Sequence, residues 1–294
     1  MTRAVAARES QVVLGLDPDP ARLWPAALET VPGTGVVAAR AAAAVVAHCR
    51  AVIDAAGPAC VAVKPQLACF ERLGAAGWDA LAATVAHAHG AGLLVLADGK
   101  RGDIDVSAAA YAQALAGSTP TPYGDAPGLG ADAFTVNPYM GRDTLTVLAG
   151  GARASGAGVF VLVRTSNPGA ADVEDLPVAG GGTVWERVAA LVASLDESGD
   201  APLSDVGAVV GATAPEHIGR LRELMPRAPF LLPGVGAQGG RVEDLAPAFA
   251  PGRAAGLVTA SRSIVAAHEQ AGGDPGAAAR AEAERLRAAA WGLS

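Results

Sequence analysis

Short apolar runs recur along this chain, each closing on a polar or turn-forming residue. They fall at 11–17, 60–64, 93–100, 133–137, 159–165, 206–211, 230–232 and 256–260. Val, Leu and Ala fill them without the polar alternation of a half-exposed strand, the pattern of a parallel sheet covered on both faces. Between them lie Ala-rich stretches of helical character at 38–55, 70–89, 107–116, 143–154, 184–196, 215–225 and 242–249. Closing helices follow at 264–268 and 277–291. Gly57-Pro58 stops the first of these helices, Gly74 and Gly77 break the second, and Pro215 stands in the first turn of another, where proline is favoured. Eight strand–helix units in this length predict an α/β fold closed into a (β/α)8 TIM barrel, one domain over 1–294 with a helical C-terminal end. One stretch breaks the rhythm. Residues 117–130 are rich in Pro, Gly and Thr and have no apolar period, which predicts a loop excursion; 166–182 is a second, longer loop.

A barrel of this kind carries its chemistry at the C-terminal ends of its strands. Those ends hold Asp17, Lys64, Asp98 with Lys100 and Asp103, Asn137, Thr165-Ser166-Asn167, Thr213, Gln238 and Ser261-Arg262. The densest is the third, where an apolar strand ends in Asp98-Gly99-Lys100-Arg101-Gly102-Asp103. Residues two apart on a strand share a side, so Asp98 and Lys100 are expected to project together, with Asp103 completing an acid–base–acid cluster from the loop. Carboxylates beside an ammonium favour its charged form, which suits a proton donor better than a Schiff-base nucleophile. The same spacing can also be an ion-pair network at a strand end.

Composition narrows the partners. The chain has 294 residues, 51% hydrophobic and 17% charged, with a net charge of -7 and a pI near 5.2. Its scattered Lys and Arg argue against a nucleic-acid surface. No apolar run has membrane-spanning length, and the first ten residues lack a signal-peptide core, so a soluble cytoplasmic protein is expected. Cys49, Cys60 and Cys69 form no C-x-x-C pair, which points to neither a disulfide framework nor a zinc site. His48, His87, His89, His217 and His268 fall on predicted helices, away from the barrel mouth, so no histidine-based metal site is expected.

Two further motifs lie on the right strands. Pro233 to Gly240 contains G-x-G-x-x-G, but it follows the seventh strand rather than opening a βαβ unit, which weakens a dinucleotide reading. Loops after strands seven and eight of a barrel commonly hold a phosphate. There the glycines are expected to offer backbone N–H groups, and Arg262 a charged contact. Thr165-Ser166-Asn167-Pro168-Gly169 reads as a turn with an Asx-type bond, and over a barrel mouth Ser166 is also placed to meet an amide edge of a ligand.

Four segments together carry a resemblance: 64–72, 97–104, 164–169 and 233–240. In this order and on these strands they make the chain similar to the orotidine 5'-phosphate decarboxylases, in their longer-chain bacterial (type 2) subgroup, over about 11–267. The resemblance implies a cofactor-free homodimer that removes CO2 from orotidine 5'-monophosphate with shared active sites. It implies that Asp17 and Lys64 meet the ribose and charged network, that Asp98 faces the substrate carboxylate, and that Lys100 protonates C6. Asp103, Ile104 and Ser107 are implied to complete the partner's site. Ser166 is implied to meet the pyrimidine amide and Gln238 and Arg262 the phosphate, and Ser261 is counted among the substrate-binding residues. Ser107 stands where threonine is familiar, which keeps the hydroxyl and loses a methyl.

The same acid–lysine–acid spacing occurs in related Mg2+-dependent barrel enzymes, a decarboxylase and an aldolase acting on sugar phosphates. Ser166, and the absence of extra acids or histidines at the strand ends, favour the nucleotide substrate. A phosphate-ligand sensor without catalysis and a nicotinamide-dependent reductase are the remaining alternatives, the latter resting on the glycine pattern alone.

Overall fold

The computed structural model describes residues 1–31 and 33–294. Ten strands are present: β1 (Val12–Leu16), β2 (Ala62–Pro65), β3 (Leu94–Arg101), β4 (Ser118–Thr121), β5 (Gly124–Pro127), β6 (Ala133–Val136), β7 (Gly158–Arg164), β8 (Val206–Val210), β9 (Phe230–Pro233) and β10 (Gly256–Ala260). Eight close a parallel barrel in the order β1-β10-β9-β8-β7-β6-β3-β2, as the apolar runs predict. β4 and β5 stand apart as an antiparallel hairpin. They lie within the loop excursion expected at 117–130, for which the sequence predicts no strands. All eight hairpin residues are exposed, so the strands carry no apolar face from which sequence periodicity could announce them.

The barrel strands are buried because helices cover the outside and side chains fill the inside. The interior layer comprises Val13, Val61, Ala62, Leu96, Ala133, Phe160, Val209, Leu231 and Leu257, together with Val5 and Ala254 from outside the sheet. Val5 belongs to an N-terminal helix, Thr2–Arg8, whose seven residues are too few to display a helical period in the sequence. Its Arg8 donates to the carbonyls of Gly57, Cys60, Ala91 and Gly92, all just before β2 and β3. The helix therefore plugs the N-terminal end of the barrel, and the opposite end stays open. A short helix at Pro25–Glu29 is likewise absent from the sequence reading.

The helix expected over 70–89 is two helices, Leu67–Glu71 and Ala75–Gly90. Gly77 does not break the second. A Cβ there would lie 1.9 Å from the carbonyl oxygen of Phe70, so glycine lets the two helices touch. No helix among the described residues is long and apolar enough to cross a membrane.

Candidate active site

The open end of the barrel holds a cavity of about 550 Å3. On one side, the register of β2 against β3 builds its charged floor. Ala62 pairs with Leu94, and a bridge joins Gln66 to Asp98, so Lys64 sits one inward step below Asp98 on the neighbouring strand. Its long side chain spans that step: Lys64 Nζ donates to Asp98 Oδ2 at 2.6 Å. Gln66 Nε2 donates to the same oxygen at 3.2 Å. The other oxygen, Asp98 Oδ1, accepts from Lys100 Nζ at 2.7 Å and from the Thr135 hydroxyl at 2.9 Å. One carboxylate thus takes four donors, two of them ammonium groups.

Burial resists charge on both Lys64 and Asp98, which are 6% and 5% exposed. For Asp98 the burial is outweighed by Lys64 and Lys100, which hold its carboxyl well below the usual carboxylate range. For Lys64 it is outweighed by Asp98 and then Asp17, which raise its pKa above that of an ordinary lysine. The pair stays charged in a place where a lone charge would not.

Asp98 and Lys100 meet as expected, but not by strand alternation. Between Ala97↔Phe134 and Arg101↔Val136, β3 uses four residues where β6 uses two, so the pleat is interrupted. Lys100 lies in the left-handed region, at φ 48°. Its N–H finds no strand carbonyl and donates instead to the Thr135 hydroxyl at 2.8 Å. Asp103 does not close the cluster within this chain, which corrects the acid–base–acid expectation. Its Oδ1 accepts from the N–H of Ile104, and Asp103, Ile104 and Ser107 all lie outside the cavity lining. Ile104 is 53% exposed and Ser107 is exposed at the start of the helix Asp105–Leu115.

Across the mouth, the ends of β7 to β10 present a different surface. Ser166 is fixed through its backbone: its carbonyl accepts from the Thr213 hydroxyl at 3.1 Å, and Gly211 lies directly beneath. A Cβ on Gly211 would lie 2.8 Å from Ser166 Cα. The turn beside Ser166 is pinned by side chains rather than an Asx bond. Thr165 donates its N–H to Glu174 at 2.8 Å, and its hydroxyl lies within hydrogen-bond reach of both Asn167 and Glu174. Arg164 pairs bidentately with Asp175 at 2.9 and 3.0 Å. The loop 166–182 is therefore tied down at Glu174 and Asp175, and it contains a 3-10 turn at Pro168–Asp172.

The glycine loop after β9 departs from expectation. The N–H groups of Gly236, Gly239 and Gly240 bond to carbonyls of the same loop, so they are not offered to a ligand. Arg262 is exposed, and among the described residues its side chain has no ion-pair or hydrogen-bond partner. Together with Gln238, Ser261 and Asp17 it lines the cavity.

Of the polar residues at the strand ends, Asn137 lies just beyond β6 and does not join the site. Asn137 turns away, its Oδ1 accepting from the N–H of Tyr139, while Thr135, two positions earlier and 1% exposed, serves the site. Gln66, Glu174 and Thr259 also line the cavity and were not singled out. Thr135 and Thr259 had one available signal, a hydroxyl at an inward position of an otherwise apolar strand. Among the described residues, no group of three His, Cys, Asp or Glu side chains is arranged to hold a metal ion.

This geometry has counterparts. The profile of the orotidine 5'-phosphate decarboxylase / HUMPS family matches residues 10–281. The chain belongs to that family. An orotidine 5'-phosphate decarboxylase of Rhodopirellula baltica is 46% identical over 231 residues, covering 78% of this chain and 75% of that protein. One from Natronomonas pharaonis is 43% identical over 287 residues, covering 95% and 94%. Among solved structures, the OMP decarboxylase of Leishmania donovani shares 30% identity at a TM-score of 0.72, covering 98% of each chain. The family's eight-stranded barrel is the fold described above.

Proposed function

We propose that this enzyme is a carboxy-lyase that converts orotidine 5'-monophosphate to uridine 5'-monophosphate and CO2, the decarboxylation step of pyrimidine biosynthesis. The observation that carries the reading is an ammonium, Lys100, held on a buried carboxylate that already has three other donors. The bond from C6 of the pyrimidine to the carboxylate carbon breaks, and its electron pair stays on C6. Lys100 delivers a proton to C6 as CO2 departs, and water then reprotonates the lysine. Lys64 and Lys100 supply positive potential where negative charge develops, and they are fixed before substrate arrives, so no reorganisation is needed during the reaction. Asp98 stands opposite the substrate carboxylate and aims Lys100.

The opposite side of the mouth holds the substrate. Ser166 meets the amide edge of the pyrimidine, Asp17 and Lys64 the ribose, and Gln238, Ser261 and Arg262 the phosphate. Arg262 has its guanidinium free for this purpose. Binding at the phosphate, remote from C6, contributes energy that is used to organise the site. Asp103, Ile104 and Ser107 do not line their own cavity and, in this reading, complete the site of a second copy in a homodimer. Asp98, with four donors already around it, offers no free oxygen pair for a divalent ion, which favours the nucleotide reaction over the metal-dependent ones on the same barrel.

Incubation with orotidine 5'-monophosphate tests the proposal through the orotate absorbance. Loss of that absorbance, undiminished by EDTA, with uridine 5'-monophosphate as product, is the expected result. An unchanged spectrum, or turnover that EDTA abolishes, would remove the reading.

A further inference from the structure

We infer that Thr135 is the positioning residue of the proton donor: its single hydroxyl fixes both the backbone of Lys100 and the carboxylate of Asp98. The inference rests on the reading of Lys100 as the group that protonates C6. Thr135 Oγ1 accepts the Lys100 N–H at 2.8 Å and donates its own proton to Asp98 Oδ1 at 2.9 Å. A hydroxyl has one proton and lone pairs to spare, so the two bonds are compatible in only one sense. The carboxylate can only accept and the amide can only donate, which sets that sense without ambiguity.

The backbone shows why such a device is needed. Lys100 sits at φ 48°, where a side chain with a Cβ is strained, and strain of this kind persists only where surroundings over-determine it. Because β3 and β6 skip register from Ala97↔Phe134 to Arg101↔Val136, no strand carbonyl is in place to take the Lys100 N–H. The Thr135 hydroxyl stands in for that carbonyl. From β6 it then reaches the same Asp98 oxygen that receives Lys100 Nζ. Both ends of the lysine, its amide and its ammonium, are therefore referred to one buried hydroxyl. Thr135 is 1% exposed, so water does not replace it.

Thr135→Ser and Thr135→Ala separate this role from packing, because both lose the methyl group and only the alanine loses the hydroxyl. With orotidine 5'-monophosphate as substrate, the serine variant should exceed the alanine variant in kcat by roughly ten- to a hundredfold, the scale set by small misplacements of a reacting group. KM, and the affinity for uridine 5'-monophosphate, should stay within about threefold across both variants, since the substrate-holding side is untouched. Thr135→Val, closest in shape to threonine, should resemble alanine in kcat. Equal kcat for the serine and alanine variants would overturn the inference, as would a loss confined to KM. Lys100→Ala assayed alongside distinguishes the failures. If it is inactive while serine and alanine are equal, only the role of Thr135 falls; if it turns over like the parent enzyme, the proton-donor reading falls with it.

Discussion

The two sides of the barrel mouth are built on opposite principles. On the β2–β3–β6 side every ionised group has its partners within the protein: both oxygens of Asp98 are doubly occupied, and Lys64 is buried against them. On the β7–β10 side the backbone is tied down, yet the functional side chains are left open. Among the described residues the Ser166 hydroxyl, Gln238 and Arg262 make no hydrogen bond or ion pair within the chain. A site that develops charge during reaction benefits from dipoles and ions already in place. A site that recognises a polar ligand needs groups whose remaining bonds the ligand will make. The first side is accordingly expected to govern kcat, and the second to govern binding.

The segment carrying Asp103, Ile104 and Ser107 belongs to neither side of its own mouth, and the largest effect predicted concerns it. Lys100→Ala and Asp103→Asn homodimers should each be nearly inactive. Mixed under exchanging conditions, about half of the dimers should be hybrids with one native site, restoring roughly a quarter of parental activity. Hybrids confirmed by mass that stay inactive would place Asp103 and Lys100 in the same site.

Arg262→Ala should show the binding side in isolation. Loss of a hydrogen bond to a charged group costs about 1.5–3 kcal/mol, or roughly ten- to a hundredfold in kcat/KM for the phosphorylated substrate. With orotidine, which lacks the phosphate, the change should nearly vanish. An equal loss on both substrates would mean that Arg262 acts elsewhere.

The smallest effect concerns the ground beneath the binding side. The segment after β1, which begins with Asp17, is anchored where the Trp24 N–H donates to His48 Nδ1 at 3.1 Å. Burial lowers the pKa of His48 to about 4. Between about 4 and the ordinary value of 6.5 the unfolded chain binds a proton that the folded one does not, so stability rises with pH through that window. Acidification from pH 6.5 to 4 should therefore cost on the order of 3 kcal/mol through this residue. Urea midpoints for His48→Gln should fall less steeply with acid than those of the parent; parallel curves would contradict the assignment.

Much of this architecture is legible in the residues, and the exceptions share a cause. The eight barrel strands announce themselves because burial on both faces demands unbroken apolar runs. Lys64, Asp98, Lys100, Ser166, Gln238 and Arg262 stand out because polar groups at the ends of such runs converge on one cavity. What the sequence conceals is direction. Asn137 and Thr135 are equally polar and would share a face on an unbroken strand, but β6 ends at Val136 and Asn137 turns into the next loop to accept from Tyr139. The alternation rule assumes an intact pleat, and the bulge at Lys100 violates it at the residue where position matters most. The glycine loop looks like a row of free N–H groups until its own carbonyls are seen to use them. The hairpin of β4 and β5 buries nothing, so no hydrophobic pattern marks it.

Division of labour across the mouth stands or falls on Lys100. Its side chain is 44% exposed at the strand end and is not part of the core, so Lys100→Ala should fold and should still bind uridine 5'-monophosphate. Orotate absorbance followed with this variant, at saturating orotidine 5'-monophosphate and with product binding confirmed, is the most direct measurement. The account predicts no detectable decarboxylation; turnover near that of the parent enzyme would contradict it.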